Sequence, residues 1–493
     1  MSDIKNQLDE LAKRTPKEKQ LKHVSCEPSQ VERITWPESM TPSQVLKHVE
    51  QFMFQQEEEV KVWLELEAYP LDGAHALALT LKEIFGWANL KPTPGFFGSN
   101  PPVMVEAPIS PYETVQVPWG RMKIPNVSGY IDTVATMNGM QPNFVMSGVV
   151  QRKDEKIIHE LGKEVKARLE SDSLYRGKAF RIRFRDQHDN RIEEPNPLDK
   201  DLNPTFIDTS RQNLQEMVFP EETSKLLETC LWNPIIYSEQ CRRDNIPLKR
   251  GVMLEGPYGT GKTLAAHATA ALCEANGWTF IYIEDVRDLE LGLGVARCYE
   301  PAVVFAEDVN RVVTQTRDSN IDHILNTLDG VATKGSEIIT VLTTNEVDEI
   351  HQAMIRPGRI DTVVPVRSPD LTAGIKLVQV YGRGTVTATE EELAEVLTPL
   401  IERKANAAVF REVIERAKLA ALPTGGAKEL TAAHIETAAL SMANHLDLLN
   451  KKIPKEKTSM ERFGHGVGMQ LTNAIENIAA NNGRALREEV HTK

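Results

Sequence analysis

The chain is poor in cysteine, in aromatic residues and in long apolar runs, and each scarcity narrows what it can be. Five cysteines occur in 493 residues, at positions 26, 230, 241, 273 and 298. The number is odd and no pair has C-x-x-C spacing, which excludes a disulfide framework or a zinc ribbon and points to a reducing compartment. No stretch approaches the roughly 18 apolar residues that a membrane helix needs. The first twenty residues, MSDIKNQLDELAKRTPKEKQ, hold no apolar core of a secretory leader. The expectation is a soluble, cytoplasmic protein without membrane insertion. Positive charge is also short: 57 Lys and Arg stand against 70 Asp and Glu, a net charge of −13. That disfavours a protein that coats nucleic acid, whose electrostatic footprint is basic. The sequence has no H-E-x-x-H; His159-Glu160 lacks the second histidine. Internal repeats and low-complexity tracts are missing too. Hydrophobic residues nonetheless make up 41%, enough for real cores, and the length suggests about three domains.

The pattern along the chain divides it. Residues 1–40 read as a polar tail with one short amphipathic stretch at Ile4, Leu8 and Leu11. Thr41-Pro42-Ser43-Gln44 is a helix start, with a cap, a proline in the first turn and a capping-box glutamine. Val45, Val49 and Phe52 would face inward. Residues 60–67 alternate as a strand, 72–87 and 153–170 carry helical periodicity, and 100–150 hold short strand-like pieces broken by Pro and Gly. Residues 41–205 therefore read as an α+β N-terminal domain for a client or partner, with 186–205 as a polar, proline-bearing linker. In 178–185, Arg181, Arg183 and Arg185 alternate with Phe180, Ile182 and Phe184, so a strand would show three guanidiniums on one face. This face either contacts an anion or pairs with acids such as Asp186, Glu193 and Glu194.

From residue 206 the texture changes to helices between wholly apolar strands at 251–254, 279–283, 302–306 and 338–343. Such strands belong to a parallel sheet covered on both faces. Residues 206–385 read as an α/β nucleotide-binding subdomain, 386–450 as an all-helical lid, and 451–493 as a helical tail after a Lys-rich hinge.

The chemistry is concentrated in the α/β part. Gly256-Pro257-Tyr258-Gly259-Thr260-Gly261-Lys262-Thr263 follows the first strand and opens a helix that continues through Leu264. Glycines at this spacing turn backbone N–H groups inward to cradle phosphates at a helix N-terminus. Lys262 would reach the β- and γ-phosphates, and the Thr263 hydroxyl would hold Mg²⁺. The predicted cofactors are ATP and Mg²⁺. The strand 302–306 ends in Glu307-Asp308. By position Glu307 is the magnesium-side acid and Asp308 the acid that polarises water, the reverse of the commoner Asp-Glu order. Asn345, at the end of the strand 338–343, would stand between the two preceding sites and position water. Arg356 and Arg359, three apart in a Pro-Gly turn, suit an arginine finger acting across a subunit boundary.

Together GPYGTGKT, PAVVFAEDVN, ILNTLDGV, VLTTNEVD and AMIRPGRID resemble the AAA clade of the AAA+ ATPases over about residues 206–450. The resemblance implies sensor 1 at Asn345, a finger pair at Arg356 and Arg359, a ring hexamer, and ATP-driven remodelling of a macromolecule. Two departures stand out. Asn406-Ala407-Ala408-Val409 replaces the lid's usual Gly-Ala-Asp-Leu. The segment 284–295 lacks the aromatic pore residue, and Leu291 and Leu293, its nearest substitutes, read better as packing residues. Two alternatives remain at this point. One is a nucleic-acid-associated ATPase using the arginine strand or a pore lined by Arg311 and Arg317. The other is a weakly hydrolysing, nucleotide-gated scaffold, suggested by the Glu-Asp reversal.

Overall fold

The computed structural model describes residues 40–86, 93–95, 98–100, 103–185, 188–191, 198–199, 203–210, 217–309, 336–345, 358–424, 426 and 428–450. The tail at 1–39, the segment 451–493, and Arg311, Arg317 and Arg356 lie outside these residues.

The N-terminal region opens with α1 (Pro42–Glu57), whose start is fixed by Thr41 and Gln44 in a capping box. Next come β1 (Glu59–Glu67), α2 (Pro70–Phe85), the short strands β2 (Thr93–Gly95) and β3 (Gly98–Asn100), and a hairpin of β4 (Val103–Pro108) and β5 (Thr114–Trp119). Then follow β6 (Arg121–Met122), β7 (Gly129–Asn138), β8 (Gln141–Gln151) and α3 (Arg152–Ser171). The order β1-β8-β7-β6 makes an antiparallel sheet. β7 and β8 run 10 and 11 residues, longer than the broken pieces the sequence suggests. β8 pairs on both sides, and its run Pro142–Met146 is buried. Two-sided pairing outweighs the local breakers. α2 and α3 bury Leu71, Leu77, Leu81, Ile158, Leu161 and Val165 in the same core.

The central sheet is built from β9 (Ala179–Ile182), β10 (Thr205–Phe206), β11 (Arg250–Glu255), β12 (Thr279–Ile283), β13 (Ala302–Ala306), β14 (Ile338–Thr344) and β15 (Thr362–Pro365). Its order is β10-β9-β12-β13-β14-β11-β15; β10 is antiparallel and the other pairings are parallel. β9, which the sequence places with the N-terminal domain, thus hydrogen-bonds to β12 as part of this sheet.

Helices cover both faces. On one lie α4 (Glu221–Leu227), α5 (Asn233–Ile236), α6 (Ser238–Arg243) and α7 (Lys262–Ala275). Leu227, Leu231, Ala265, Ala266 and Ala270 meet Val252, Phe280, Val303 and Phe305 there. On the other lies α8 (Leu289–Cys298), whose Leu289, Leu293 and Ala296 share one core with Ile281, Val304 and the N-terminal region. That sharing is tight. A Cβ on Gly294 would stand 1.9 Å from the Met140 carbonyl oxygen, so only glycine allows the β7–β8 hairpin to meet α8.

After α9 (Leu371–Gly382), the second compact unit comprises residues 381–405 and 409 onward. It holds α10 (Glu390–Glu402), most of α11 (Ala407–Ala421) and α12 (Ala432–Asn450). Thr389 and Glu392 form a capping box at α10. Leu393, Leu397, Phe410, Val413, Ile414 and Ile435 are buried, as the helical periodicity predicts.

Candidate functional site

Three adjacent parallel strands end at the same edge of the sheet. β14 lies between β13 and β11, with Ala306 opposite Leu342 and Glu255 opposite Thr344. The loop after β11, the two acids after β13 and the residues ending β14 are therefore brought together by register alone.

The loop 256–261 joins β11 to α7. Gly259 and Gly261 have φ of 77° and 111°, a region that side chains rarely enter. The Gly256 N–H donates to the Thr344 carbonyl at 3.2 Å, and Thr260 Oγ1 donates to the Pro257 carbonyl at 2.9 Å. Pro257 and Gly259 are exposed, as is Tyr258, while Leu264 packs half-buried on the core. Lys262 is the first residue of α7 and is buried. Its Nζ donates to the carbonyls of Gly256 (2.5 Å) and Pro257 (2.9 Å). Burial lowers its pKa, while Asp308, Glu307 and Glu255 pull the other way. A lysine folded onto its own loop carbonyls is held where a phosphate would displace it.

Thr263 Oγ1 donates to Glu307 Oε1 at 2.8 Å. A hydroxyl and a carboxylate side by side are hard oxygen donors of the kind magnesium accepts. These two residues fit that ion beside phosphates. Asp308 differs from its neighbour in backbone as well as length, with a φ of 53°. Its N–H donates to Thr343 Oγ1 at 3.0 Å, and its Oδ1 accepts from Asn345 Nδ2 at 3.0 Å. A carboxylate only accepts, so the amide must present its nitrogen to it. Asn345 Oδ1 is left buried without a partner among the described residues. An acceptor so placed beside a carboxylate suits a donor such as water.

Lys262, Thr263, Glu307, Asp308 and Asn345 thus converge. Arg359 does not join them. It lies in the turn before β15, and its carbonyl abuts Gly251 near the N-terminal end of β11. Gly251 is five residues from Gly256, about 16 Å along an extended strand. The turn is fixed by Asp361, which accepts from the Gly358 and Gly251 N–H groups at 2.8 and 3.0 Å.

The family described as "ATPase family associated with various cellular activities (AAA)" matches residues 252–368, the stretch that carries this whole edge of the sheet. Residues 252–368 are a domain of the AAA family. The chain's relatives include the ATP-dependent zinc metalloprotease FtsH of Helicobacter pylori, 26% identical over 270 residues, which cover 49% of this chain and 41% of the relative. The ATPase histone chaperone YTA7 of Saccharomyces cerevisiae is 28% identical over 217 residues, 39% of this chain and 15% of that protein. A Cell division cycle protein 48 homologue of Archaeoglobus fulgidus is 30% identical over 193 residues, 35% and 26% respectively. The chain spans about two fifths of the length of the FtsH relatives it matches.

Elsewhere the structure decides several sequence expectations. The arginine strand is paired. Arg181 and Arg183 share Glu284 at 3.1 and 3.0 Å, and Arg185 bonds the buried Asp288 at 3.1 Å. Asp186, Glu193 and Glu194, the acids suggested by sequence proximity, lie outside the described residues; among the described residues Glu284 and Asp288 come from the segment after β12, because β9 lies beside β12 in the sheet. Leu291 and Leu293 sit inside α8 and are buried, so they pack the helix and have no surface with which to grip a chain. Among the described residues no helix is long and apolar enough to cross a membrane, and no cluster of three or more His, Cys, Asp or Glu side chains could hold a metal ion. Sequence reasoning missed the Thr343 hydroxyl behind Asp308, which only strand order could reveal.

Proposed function

We propose that this chain is a ring-forming ATPase that hydrolyses ATP with magnesium and applies the energy to remodelling a protein client held by its N-terminal region. The observation that carries the reading is the split of the machinery. The phosphate loop and three polar side chains meet at one edge, while Arg359 sits at the far end of β11.

In this reading the N–H groups of 256–261 bind phosphate oxygens, and Lys262 releases its loop carbonyls to take the β- and γ-phosphates. Thr263 and Glu307 hold magnesium, which when bound neutralises charge on those phosphates. Asp308 and the open Oδ1 of Asn345 orient a water towards the γ-phosphate, Asp308 accepting its proton. Arg359 cannot reach its own loop, so it serves the ATP of a neighbouring copy, with Arg356 as the second member of the pair. A family that works as hexamers supplies the ring, and the names of FtsH and YTA7, a protease and a histone chaperone, favour a protein client. The pairing of Arg181, Arg183 and Arg185 with acids counts against a nucleic-acid groove on that strand.

Steady-state ATPase with sizing by light scattering tests this. Arg359→Ala and Lys262→Ala are each expected to be inactive alone. Mixed, they should regain part of the turnover, because a Lys262→Ala copy can lend its arginine to an Arg359→Ala neighbour that still binds ATP. Full turnover by Arg359→Ala alone would refute the shared site.

A further inference from the structure

β1 stands at the end of the antiparallel order β1-β8-β7-β6. Among the described residues no strand pairs with its other edge, and no backbone hydrogen bond outside the β8 ladder reaches residues 59–67. The register fixes which groups are left over. The Arg152 N–H donates to the Glu58 carbonyl at 2.9 Å, and Glu59 stands opposite Gln151. Hydrogen-bonded positions alternate along an antiparallel pair. Val60, Val62, Leu64 and Leu66 therefore turn their backbone groups towards β8, while Glu59, Lys61, Trp63, Glu65 and Glu67 turn theirs outwards. The side chains of these same outward residues share one face of the sheet, and all are exposed, Trp63 to 59%. Nine residues make an open edge about 30 Å long. Natural proteins shorten, cover or charge such an edge. This one is charged, and mostly with one sign. Glu59, Glu65 and Glu67 have no Lys or Arg partner among the described residues; Glu65 accepts only from the neutral Asn143 side chain, at 2.6 Å.

We infer that β1 is a docking edge for an extended, basic segment of a partner protein, which adds to the sheet as a further antiparallel strand. The inference names the kind of client that the proposed function assigns to the N-terminal region, and rests on that reading. Main-chain hydrogen bonds supply attachment in such strand addition, and alternate side chains supply selection. Opposite charges facing each other across two strands attract, and like charges repel. A second copy of β1 is a poor occupant. Paired antiparallel about Trp63 it sets Glu59 against Glu67 twice, and paired parallel in register it sets every glutamate against its own kind. A basic strand meets three glutamates instead. Its residue opposite Trp63 can be aliphatic, packing on the exposed indole, and its residue opposite Lys61 acidic.

The probe is a fluorescein-labelled peptide, KTKTITETK, read by anisotropy with the full chain and no nucleotide. Run antiparallel, it sets lysines opposite Glu67, Glu65 and Glu59, isoleucine opposite Trp63 and glutamate opposite Lys61. Saturable binding is expected, with the charge-reversed ETETITKTE about tenfold weaker. N-methylation of the third and seventh residues keeps every side chain but removes two N–H groups that face β1, and should weaken binding about tenfold. Glu59→Lys with Glu67→Lys should erase the preference between the two peptides to within about twofold; both positions are exposed, so the melting temperature should barely move. Equal binding of both peptides by wild type overturns the proposal, as does a preference that the double variant leaves unchanged. An N-methylated probe as tight as its parent overturns it too, because charge then acts without a strand. Self-association of wild type that displaces the probe gives the edge to a second copy and sinks the basic partner. ATPase is measured alongside. A chain that binds the probe and hydrolyses no ATP refutes the motor and leaves the edge standing; an active ATPase that ignores the probe removes the edge alone.

Discussion

Replacing Asn345 with alanine separates stability from chemistry at this site. The substitution deletes the 3.0 Å bond to the Asp308 carboxylate, and a hydrogen bond to a charged group contributes about 1.5–3 kcal/mol. It also deletes Asn345 Oδ1, a buried acceptor with no partner among the described residues, whose desolvation costs about 1–3 kcal/mol. The two terms have opposite sign and similar size, so the net change in folding stability should lie within about 1 kcal/mol. At about 2–4 °C per kcal/mol for a domain of some 200 residues, the melting temperature should move by only a few degrees. Turnover should behave differently. The oxygen that would hold the attacking water is gone, and loss of one pre-set polar contact to the reacting group lowers kcat by about 10²–10³. The assay is steady-state ATPase beside thermal unfolding and binding of a fluorescent ATP analogue, for wild type and Asn345→Ala. Affinity should be kept, stability nearly kept and turnover lost. A variant within threefold of wild-type kcat would refute the water-positioning argument. A fall in melting temperature beyond about 8 °C would show that the orphaned oxygen carries no cost and that the cancellation is wrong.

Three further outcomes follow from features already described. Lys262→Ala should weaken ATP-analogue binding by about two orders of magnitude, since a buried cation at the phosphates is worth several kcal/mol at low effective dielectric; fluorescence anisotropy reads it directly. Gly294→Ala places a methyl 1.9 Å from the Met140 carbonyl, and such overpacking against backbone should cost about 1–3 kcal/mol, seen as a lower denaturation midpoint. Asp72 is fully buried, and its pKa is raised to about 6, chiefly by desolvation. The unfolded carboxyl ionises near 4, so between about pH 4 and 6 the folded chain holds the extra proton and its stability falls as pH rises. The group's contribution is complete below pH 4 and lost above 6, a difference of about 3 kcal/mol. Asp72→Asn should flatten that part of a denaturation-versus-pH curve.

The central strands of this sheet were readable because burial on both faces leaves them mostly apolar, as in Val303, Val304 and Phe305. The phosphate loop was readable because its glycines and lysine answer one geometric demand. β9 was readable as a strand but not as a member of this sheet, since four residues of mixed character look the same whichever sheet they join. Only the hydrogen bonds to β12 distinguish the two cases. Glu284 and Asp288 were not legible as partners of Arg181, Arg183 and Arg185 for the same reason: strand adjacency delivers them from about a hundred residues away. The length of β8 was underestimated because Pro142 and Gly148 read as breakers until a partner is known on each side.

The position of β9 bears on how this chain could be taken apart. Its four residues are the shared property of two regions. Phe180 and Ile182 sit in one core with Leu77, Ile131 and Ile281, and just upstream Tyr175 packs edge-on against Tyr69 and Tyr299. Cutting after residue 205 would leave β12 without its neighbour and give the excised fragment a bare strand edge, an invitation to pair with other chains. Cutting earlier, near Ser171, would sever Leu174 and Ser173 from the Asp72 carboxylate that they bond at 2.7 and 2.6 Å. No single peptide bond in this stretch separates the N-terminal region from the module that carries the phosphate loop. The pair cannot be exchanged as independent cassettes, and a graft of either onto another protein would have to bring the strand and its aromatic seam along.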